Sequence, residues 1–273
     1  MTCPYRFSGF VCLALFSFLV LNAQTGGERK PLVIAHRGAS GYAPENTLAS
    51  FDKALEMGAD VIELDVHQTL DSVVIVMHDE KLDRTSDKSG LIKNYLWADI
   101  KNADAGGWFS AQFAGEHIPT LEEIIRHISG RAKLLIEIKK GGKYYPGIER
   151  RTFEIIKACH AESWCMIQSF SDAAVNNFLA LHSNLPVYKL AVGNIPCLPL
   201  YHDGHAHWGS VLKYKAVTGV NPYRNFARKR LIRKLHERGQ QIFVWTVNEE
   251  KQIQKFTKRG VDGIITNFPD RVK

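Results

Sequence analysis

The sequence predicts a parallel α/β fold, the size of a single (β/α)8 barrel. Three observations carry that prediction. Short apolar runs rich in β-branched residues alternate with amphipathic stretches along most of the chain, as buried parallel strands alternate with helices. Turn and capping residues fall at the junctions. The length left after an apolar N-terminal stretch, about 250 of 273 residues, is typical of one such barrel.

Residues 1–23 lie outside the pattern. Arg6 gives a weak basic start, 10–21 is apolar over about the length of a signal peptide, and Ala23 precedes the polar segment 24–30. The apolar run is short for a membrane span, which needs about 20 residues. The expectation is an export signal over 1–23, one domain over 24–273, and a periplasmic or extracellular protein. An uncleaved N-terminal anchor is the alternative. Export would expose Cys159, Cys165 and Cys197 to an oxidising compartment. Three cannot all pair within one chain, and buried free thiols are the favoured reading.

Strand candidates are 32–35, 60–66, 73–77, 134–138, 165–168, 187–191, 216–220, 241–247 and 263–265. Helix candidates are 47–57, 121–129, 147–160, 172–182, 226–238 and 249–258. Asn46 is placed to cap the first helix. Thr120 with Glu123 forms a capping-box pattern after Pro119, and Gly58 and Gly239 suit helix stops. One strand candidate, 73–77, follows another without a helix between. The polar and aromatic segment 79–118 after it is too long for an ordinary loop and reads as an insertion, a lid or substrate wall on the active-site side.

The formal charge is +7. Its densest basic run holds Arg224, Arg228, Lys229, Arg230, Arg233, Lys234 and Arg238. A solvated helix face is the favoured reading; the functional reading is attraction to an anionic membrane surface or acidic substrates. Nucleic acid is disfavoured, because no recognition motif accompanies the charge. No Gly-rich nucleotide loop and no GxSxG elbow occur, so nucleoside triphosphate and serine-hydrolase chemistries lack support.

Chemistry-bearing residues gather at strand ends. Glu63, Asp65 and His67 alternate onto one strand face, which in a parallel barrel points inward toward the active-site mouth. Glu137 ends another apolar run, and Lys139 follows two positions later. Buried carboxylates this close need a compensating cation. The spacing leaves two readings open: a hard divalent ion, Mg²⁺ or Ca²⁺, or salt bridges to Arg37 and Lys139. His36 and His78 each end apolar runs and suit an acid–base pair. Arg37 and Lys139 suit phosphate oxygens. Trp245 ends a strand candidate, where it suits packing against a substrate's carbon skeleton. A second cluster, His202, His205 and His207, reads as a polar loop over the mouth, with transition-metal binding as the lesser alternative.

Taken in order, His36-Arg37-Gly38, Pro44-Glu45-Asn46-Thr47, Glu63-Leu64-Asp65-Val66, His78-Asp79, Leu82-Asp83-Arg84-Thr85, Glu137-Ile138-Lys139 and Val244-Trp245-Thr246-Val247-Asn248 resemble the glycerophosphodiester phosphodiesterase family from about Val33 to Pro269. The resemblance implies a TIM-type barrel with an insertion after His78. It implies a divalent ion on Glu63, Asp65 and Glu137, with His36 and His78 as acid and base and Arg37 and Lys139 on the phosphate. It also implies hydrolysis of glycerophosphodiesters to glycerol 3-phosphate and an alcohol, through attack by the neighbouring glycerol hydroxyl and a cyclic phosphate. Ser72 and Asn267 stand where that family usually has Gly and Asp, and neither is expected to touch the chemistry. A phospholipase D-like enzyme on lysophospholipid or sphingomyelin is the same-fold alternative, favoured by an apolar groove or by exposed Trp97, Trp108 and Phe109. A non-catalytic phosphodiester-binding protein is a third reading.

Overall fold

A computed structural model describes residues 30–181, 184–194, 200–203 and 205–272. The expected export signal, Cys197 and His182 lie outside the described residues. The first half carries β1 (Leu32–His36), α1 (Leu48–Glu56), β2 (Val61–Gln68), β3 (Val74–Val76), α2 (Trp97–Ile100), α3 (Leu121–Ile128) and β4 (Lys133–Ile138). Then come α4 (Ile148–Ala158), β5 (Cys165–Ser169), α5 (Asp172–Ala180) and β6 (Val187–Ala191). The remainder carries β7 (Gly193–Asn194), β8 (Leu200–His202), β9 (Ala206–Trp208), β10 (Gly219–Pro222), α6 (Lys229–His236), β11 (Phe243–Val244), α7 (Glu250–Thr257) and β12 (Gly263–Thr266).

Eight of these strands form a parallel barrel. They run β1, β2, β4, β5, β6 and β10 in one direction from β1, and β12 then β11 in the other. The seam between β10 and β11 closes through single bridges, Gly219 to Gln241 and Tyr223 to Trp245. There the Asn221 side chain replaces a backbone partner and accepts the Phe243 N–H at 3.1 Å. Gly219 permits the approach: a Cβ at this position would lie 2.4 Å from the Gln241 carbonyl oxygen.

Alternation along each strand builds two cores. Outward residues such as Ile62, Leu64, Leu134, Ile136 and Ile167 pack against the helical layer. Inward residues Ile34, Val61, Leu135, Met166, Tyr188, Phe243 and Ile265 fill the barrel floor. On the same inward face the residue type then changes from apolar to polar toward the C-terminal ends. Pairing brings His36 level with Glu63, Asp65 level with Glu137, and Glu137 level with Gln168. A polar layer therefore sits on an apolar floor.

The Thr120–Glu123 capping box is present, and β3 pairs antiparallel with β2 as a hairpin. Ser72 in that hairpin adopts a positive φ of 70°, the conformation glycine takes without strain. Four expectations are corrected. The cap of α1 is Thr47, reciprocated by Ser50, because Asn46 is drawn away to Asp65. Strand β10 begins later than 216. Cys159 and Cys165 are free, but Cys159 is only half-buried. Where a loop was expected, β8 and β9 are strands, and with β7 they pair antiparallel.

The segment 79–118 carries its own small core, in which Leu82, Ile92, Ile100, Ala103 and Ile118 pack on Ile75 and Met77. In the basic run, Lys229, Arg230 and Arg233 are exposed, whereas Arg224 and Arg238 hold the carbonyls of Thr246 and Leu212. No helix among the described residues is long and apolar enough to cross a membrane.

Gly219→Val is expected to strain the seam and cost about 1–3 kcal/mol, the usual size of overpacking. Chemical denaturation would measure it, and an unchanged midpoint would mean the seam yields freely.

Candidate active site

The barrel mouth brings together the residues singled out for chemistry; the His202–His207 cluster is carried by the separate β7–β9 sheet, from which His205 and His207 line the outer cavity. Glu63, Asp65 and Glu137 are buried, and one oxygen of each lies within 4.8 Å of the other two. Each has a distinct anchor. Glu63 accepts the Arg37 backbone N–H at 3.0 Å and the Gln168 amide at 3.0 Å. Asp65 accepts the Asn46 amide at 3.0 Å, while its own N–H reaches Asn46 Oδ1 at 3.3 Å. Glu137 lies 2.6 Å from Lys139 Nζ.

Both the acids' compensating cations are present. Lys139 Nζ lies 3.0 Å from Asp65 Oδ1, and Arg37 Nε lies 3.4 Å from Asp65 Oδ2. Neither approach has hydrogen-bond geometry, since Asp65 Oδ1 and Arg37 Nε are buried without a hydrogen-bond partner. These contacts are charge proximity rather than directed bonds. Two cations do not neutralise three acids. Burial and the neighbouring Asp65 and Glu137 hold Glu63 well above the usual carboxylate range. Burial also raises Glu137, against the pull of Lys139. Burial alone would raise Asp65 too, but Lys139 and Arg37 outweigh it and hold the group low. An orphaned buried carboxylate oxygen within an undercompensated oxygen-donor set fits a hard divalent cation, so the salt-bridge and cation readings are compatible in one site.

The two histidines are oriented differently. His36 Nδ1 lies 2.7 Å from Asn267 Oδ1, so Nδ1 carries the proton and Nε2 is left as an acceptor. Burial, then Arg37, lower its pKa to about 3. Asn267 was expected to stand apart from the candidate acid–base residues, but it contacts His36 directly. His78 Nδ1 lies 2.6 Å from Asp79 Oδ1, so a carboxylate stands behind this ring. Its pKa is lowered by burial, with Asp65 opposing.

Supporting residues that the sequence left unassigned tie the loops together. Arg84 donates from Nε to Asp79 at 2.6 Å and from Nη2 to Glu45 at 2.7 Å. Glu45 in turn accepts from Arg37 at 2.9 Å. Insertion, first loop and His78 are thereby one ionic chain. His67, on the same strand face as Asp65, meets the His78 carbonyl at 3.0 Å and the Tyr145 hydroxyl at 2.8 Å. Gly38 lets the first loop lie on α1: a Cβ there would fall 2.4 Å from Ser50 Oγ. The period-two spacing after Asp65 was the signal for His67; Asn267 was marked only as standing where the resembling family usually has Asp, and Gln168 only by its place in a matching stretch.

Two cavities meet at this layer. The inner one, about 100 Å³, is lined by His36, Arg37, Glu63, Lys139 and Trp245 among others. The outer one, about 910 Å³, shares His78, Glu137, Lys139 and Phe170 with it and opens toward Asp203 and His207. From the insertion only Asp79, Glu80 and Lys81 line the outer cavity.

Comparison with known proteins agrees with this fold. The family model described as the glycerophosphoryl diester phosphodiesterase family matches residues 36–271. A glycerophosphodiester phosphodiesterase of Caldanaerobacter subterraneus subsp. tengcongensis is 39% identical over 243 residues, spanning 88% of this chain and 96% of that one. One from Bacillus altitudinis is 37% identical, spanning 88% and 95%. Among solved structures, an Oleispira antarctica phosphodiesterase in complex with the product sn-glycerol-3-phosphate aligns with a TM-score of 0.77 at 29% identity, over 89% of this chain and 95% of that one. Fold and site together define a barrel enzyme that hydrolyses phosphoric diesters. The chain belongs to the glycerophosphoryl diester phosphodiesterase family.

Asn46→Ala would strip Asp65 of two hydrogen bonds and leave a buried charge under-satisfied. A loss of about 1–3 kcal/mol is expected, measurable by denaturant titration. A neutral result would show that Lys139 and Arg37 suffice to hold Asp65.

Proposed function

We propose that this enzyme hydrolyses glycerophosphodiesters to glycerol 3-phosphate and an alcohol in a divalent-cation-dependent reaction, with His36 and His78 as proton carriers. The observation that carries this is the pairing of the two rings with different backing groups around one acidic triad. A divalent cation, Mg²⁺ or Ca²⁺, held by Glu63, Asp65 and Glu137, would stabilise negative charge on phosphoryl oxygens and lower a hydroxyl's pKa. Arg37 and Lys139 orient the phosphate from the wall of the inner cavity.

The cavities suggest how the two ends of the substrate divide. The glycerol arm suits the inner cavity, against Trp245. His36 lines only that cavity of the two, and its Nε2 is a free acceptor; it takes the proton of the glycerol hydroxyl next to the ester. That oxygen forms a bond to phosphorus, and the bond from phosphorus to the departing alcohol breaks. His78 lines both cavities. Asp79 on Nδ1 orients the ring and opposes the lowering that burial, Lys139 and Arg37 impose on it, as carboxylates behind catalytic histidines do; in its imidazolium form His78 gives its proton to the leaving oxygen. Water then opens the cyclic phosphate with the two roles reversed.

The phospholipase D-like alternative receives less support. Trp108 and Trp208 are exposed, but neither lines the outer cavity, where the apolar side chains are Ile138, Phe170 and Val192. That is a small surface for an acyl chain. The sequence of residues 1–23 supports export to the periplasm or beyond, and the exposed lysine and arginine side chains of α6 support a weak peripheral attraction to anionic lipid.

An assay with glycerophosphocholine, lysophosphatidylcholine and sphingomyelin, with and without chelator, tests the reading. Glycerol 3-phosphate release that chelator abolishes is expected. His36→Ala and His78→Ala should each lower kcat by about 10²–10⁴-fold, the range for lost acid–base catalysis. Full activity in the double variant would remove both residues from the mechanism.

Proton linkage gives an independent check. Because burial and its acidic neighbours raise Glu63, a proton on the cation-free triad competes with cation loading. Cation affinity should therefore rise with pH, by about tenfold per pH unit for one displaced proton. Calorimetric titration in buffers of different ionisation heat reads this directly; no proton release would contradict the assignment of Glu63.

A further inference from the structure

The outer cavity is walled on one side by a buried ionic device that the reaction centre does not use. Lys189 on β6 is completely buried. Its ammonium lies 3.0 Å from Asp172 Oδ1 and 2.9 Å from Asp203 Oδ2, and it donates to the Phe170 carbonyl. An isolated ammonium in that position would be strongly unfavourable, so both carboxylates are fixed by it. Asp203 Oδ1 in turn lies 2.7 Å from His207 Nε2, and the His207 ring stacks on buried Tyr201 with centroids 5.0 Å apart. The Tyr214 hydroxyl donates to Asp172 at 2.6 Å. The chain of fixed groups thus ends at a ring that is about one-third exposed, 37%, and lines the cavity. With Nε2 donating to Asp203, the neutral ring offers Nδ1 as an acceptor.

The rest of the wall narrows what such a cavity can hold. Its carboxylates outside the acidic triad are already paired: Asp79 with Arg84, Glu80 with Lys140, and Asp172 and Asp203 with Lys189. Among the described lining residues no carboxylate is left without an ion-pair partner for a quaternary ammonium, and Phe170 alone does not make an aromatic cage. Among them only Ile138, Phe170 and Val192 are apolar side chains. What remains is volume, about 910 Å³, and fixed hydrogen-bonding groups.

We propose that the outer cavity is the subsite for the departing alcohol, that it takes a hydroxyl-rich alcohol of the polyol or sugar type, and that His207, positioned by Lys189 through Asp203, accepts one of its hydroxyls. This rests on the reading of the inner cavity as the glycerol site. The β7–β9 sheet, outside the motifs that carry the family resemblance, is then the element that sets alcohol preference.

The test compares kcat/KM for glycerophosphoinositol and glycerophosphocholine, with divalent cation supplied, in the unaltered chain and in His207→Phe and His207→Gln. The unaltered enzyme should favour the inositol ester by about fivefold or more, the worth of one hydrogen bond. His207→Phe should bring the ratio toward one, chiefly through KM. His207→Gln, which keeps a donor and an acceptor, should retain part of the preference; a general structural defect would lower both substrates alike. Preference for the choline ester, or an unchanged ratio in His207→Phe, would overturn this subsite while leaving the reaction centre intact. Hydrolysis of neither ester would overturn both.

Discussion

Mutual repulsion among Glu63, Asp65 and Glu137 is the constraint from which the rest of the mouth follows. Three carboxylates with one oxygen of each within 4.8 Å of the others, and almost wholly buried, cannot all be charged without help. The surrounding residues supply it in graded form. Lys139 and Arg37 give full charges, the Gln168 and Asn46 amides give dipoles, and the Arg37 peptide N–H gives another. The balance is left short by about one charge, and that shortfall is what makes the site suitable for a cation and a phosphate together.

Loop architecture serves the same end. Arg37 adopts a positive φ of 55° and Asn46 one of 60°, conformations that non-glycine residues hold only when their surroundings enforce them. Here the enforcement is electrostatic. Arg37 is pulled between Glu45 and Asp65, and Asn46 is bound at both ends of its amide to Asp65. Arg84 extends the chain from Glu45 to Asp79, so the ring of His78 is fixed by a residue from the insertion. That gives the segment 79–118 a physical role at the mouth, although only its first three residues line the outer cavity.

Much of this was legible because it is periodic. The two-residue alternation places Glu63, Asp65 and His67 on one face, and the Thr120 capping box reads from four residues. Four features were not legible, three of them because their cause lies elsewhere along the chain. Asn46 has the composition of a cap but is recruited by Asp65, 19 residues away. Asn267 meets His36 across 231 residues. Lys189 sits in an apolar run whose one charge only makes sense once Asp172 and Asp203 are beside it. The β7–β9 sheet lacks alternating apolar residues, so nothing local distinguishes it from a polar loop.

The side-chain rung at the barrel seam has a wider consequence. Asn221 accepts the Phe243 N–H with one end of its amide and donates to Gln168 Oε1 with the other, at 3.0 Å. Gln168 then donates to Glu63. A carboxylate accepts more strongly than a carboxylic acid, and each bond in such a chain polarises the next. Mechanical closure of the cylinder and ionisation at its centre are therefore two ends of one relay.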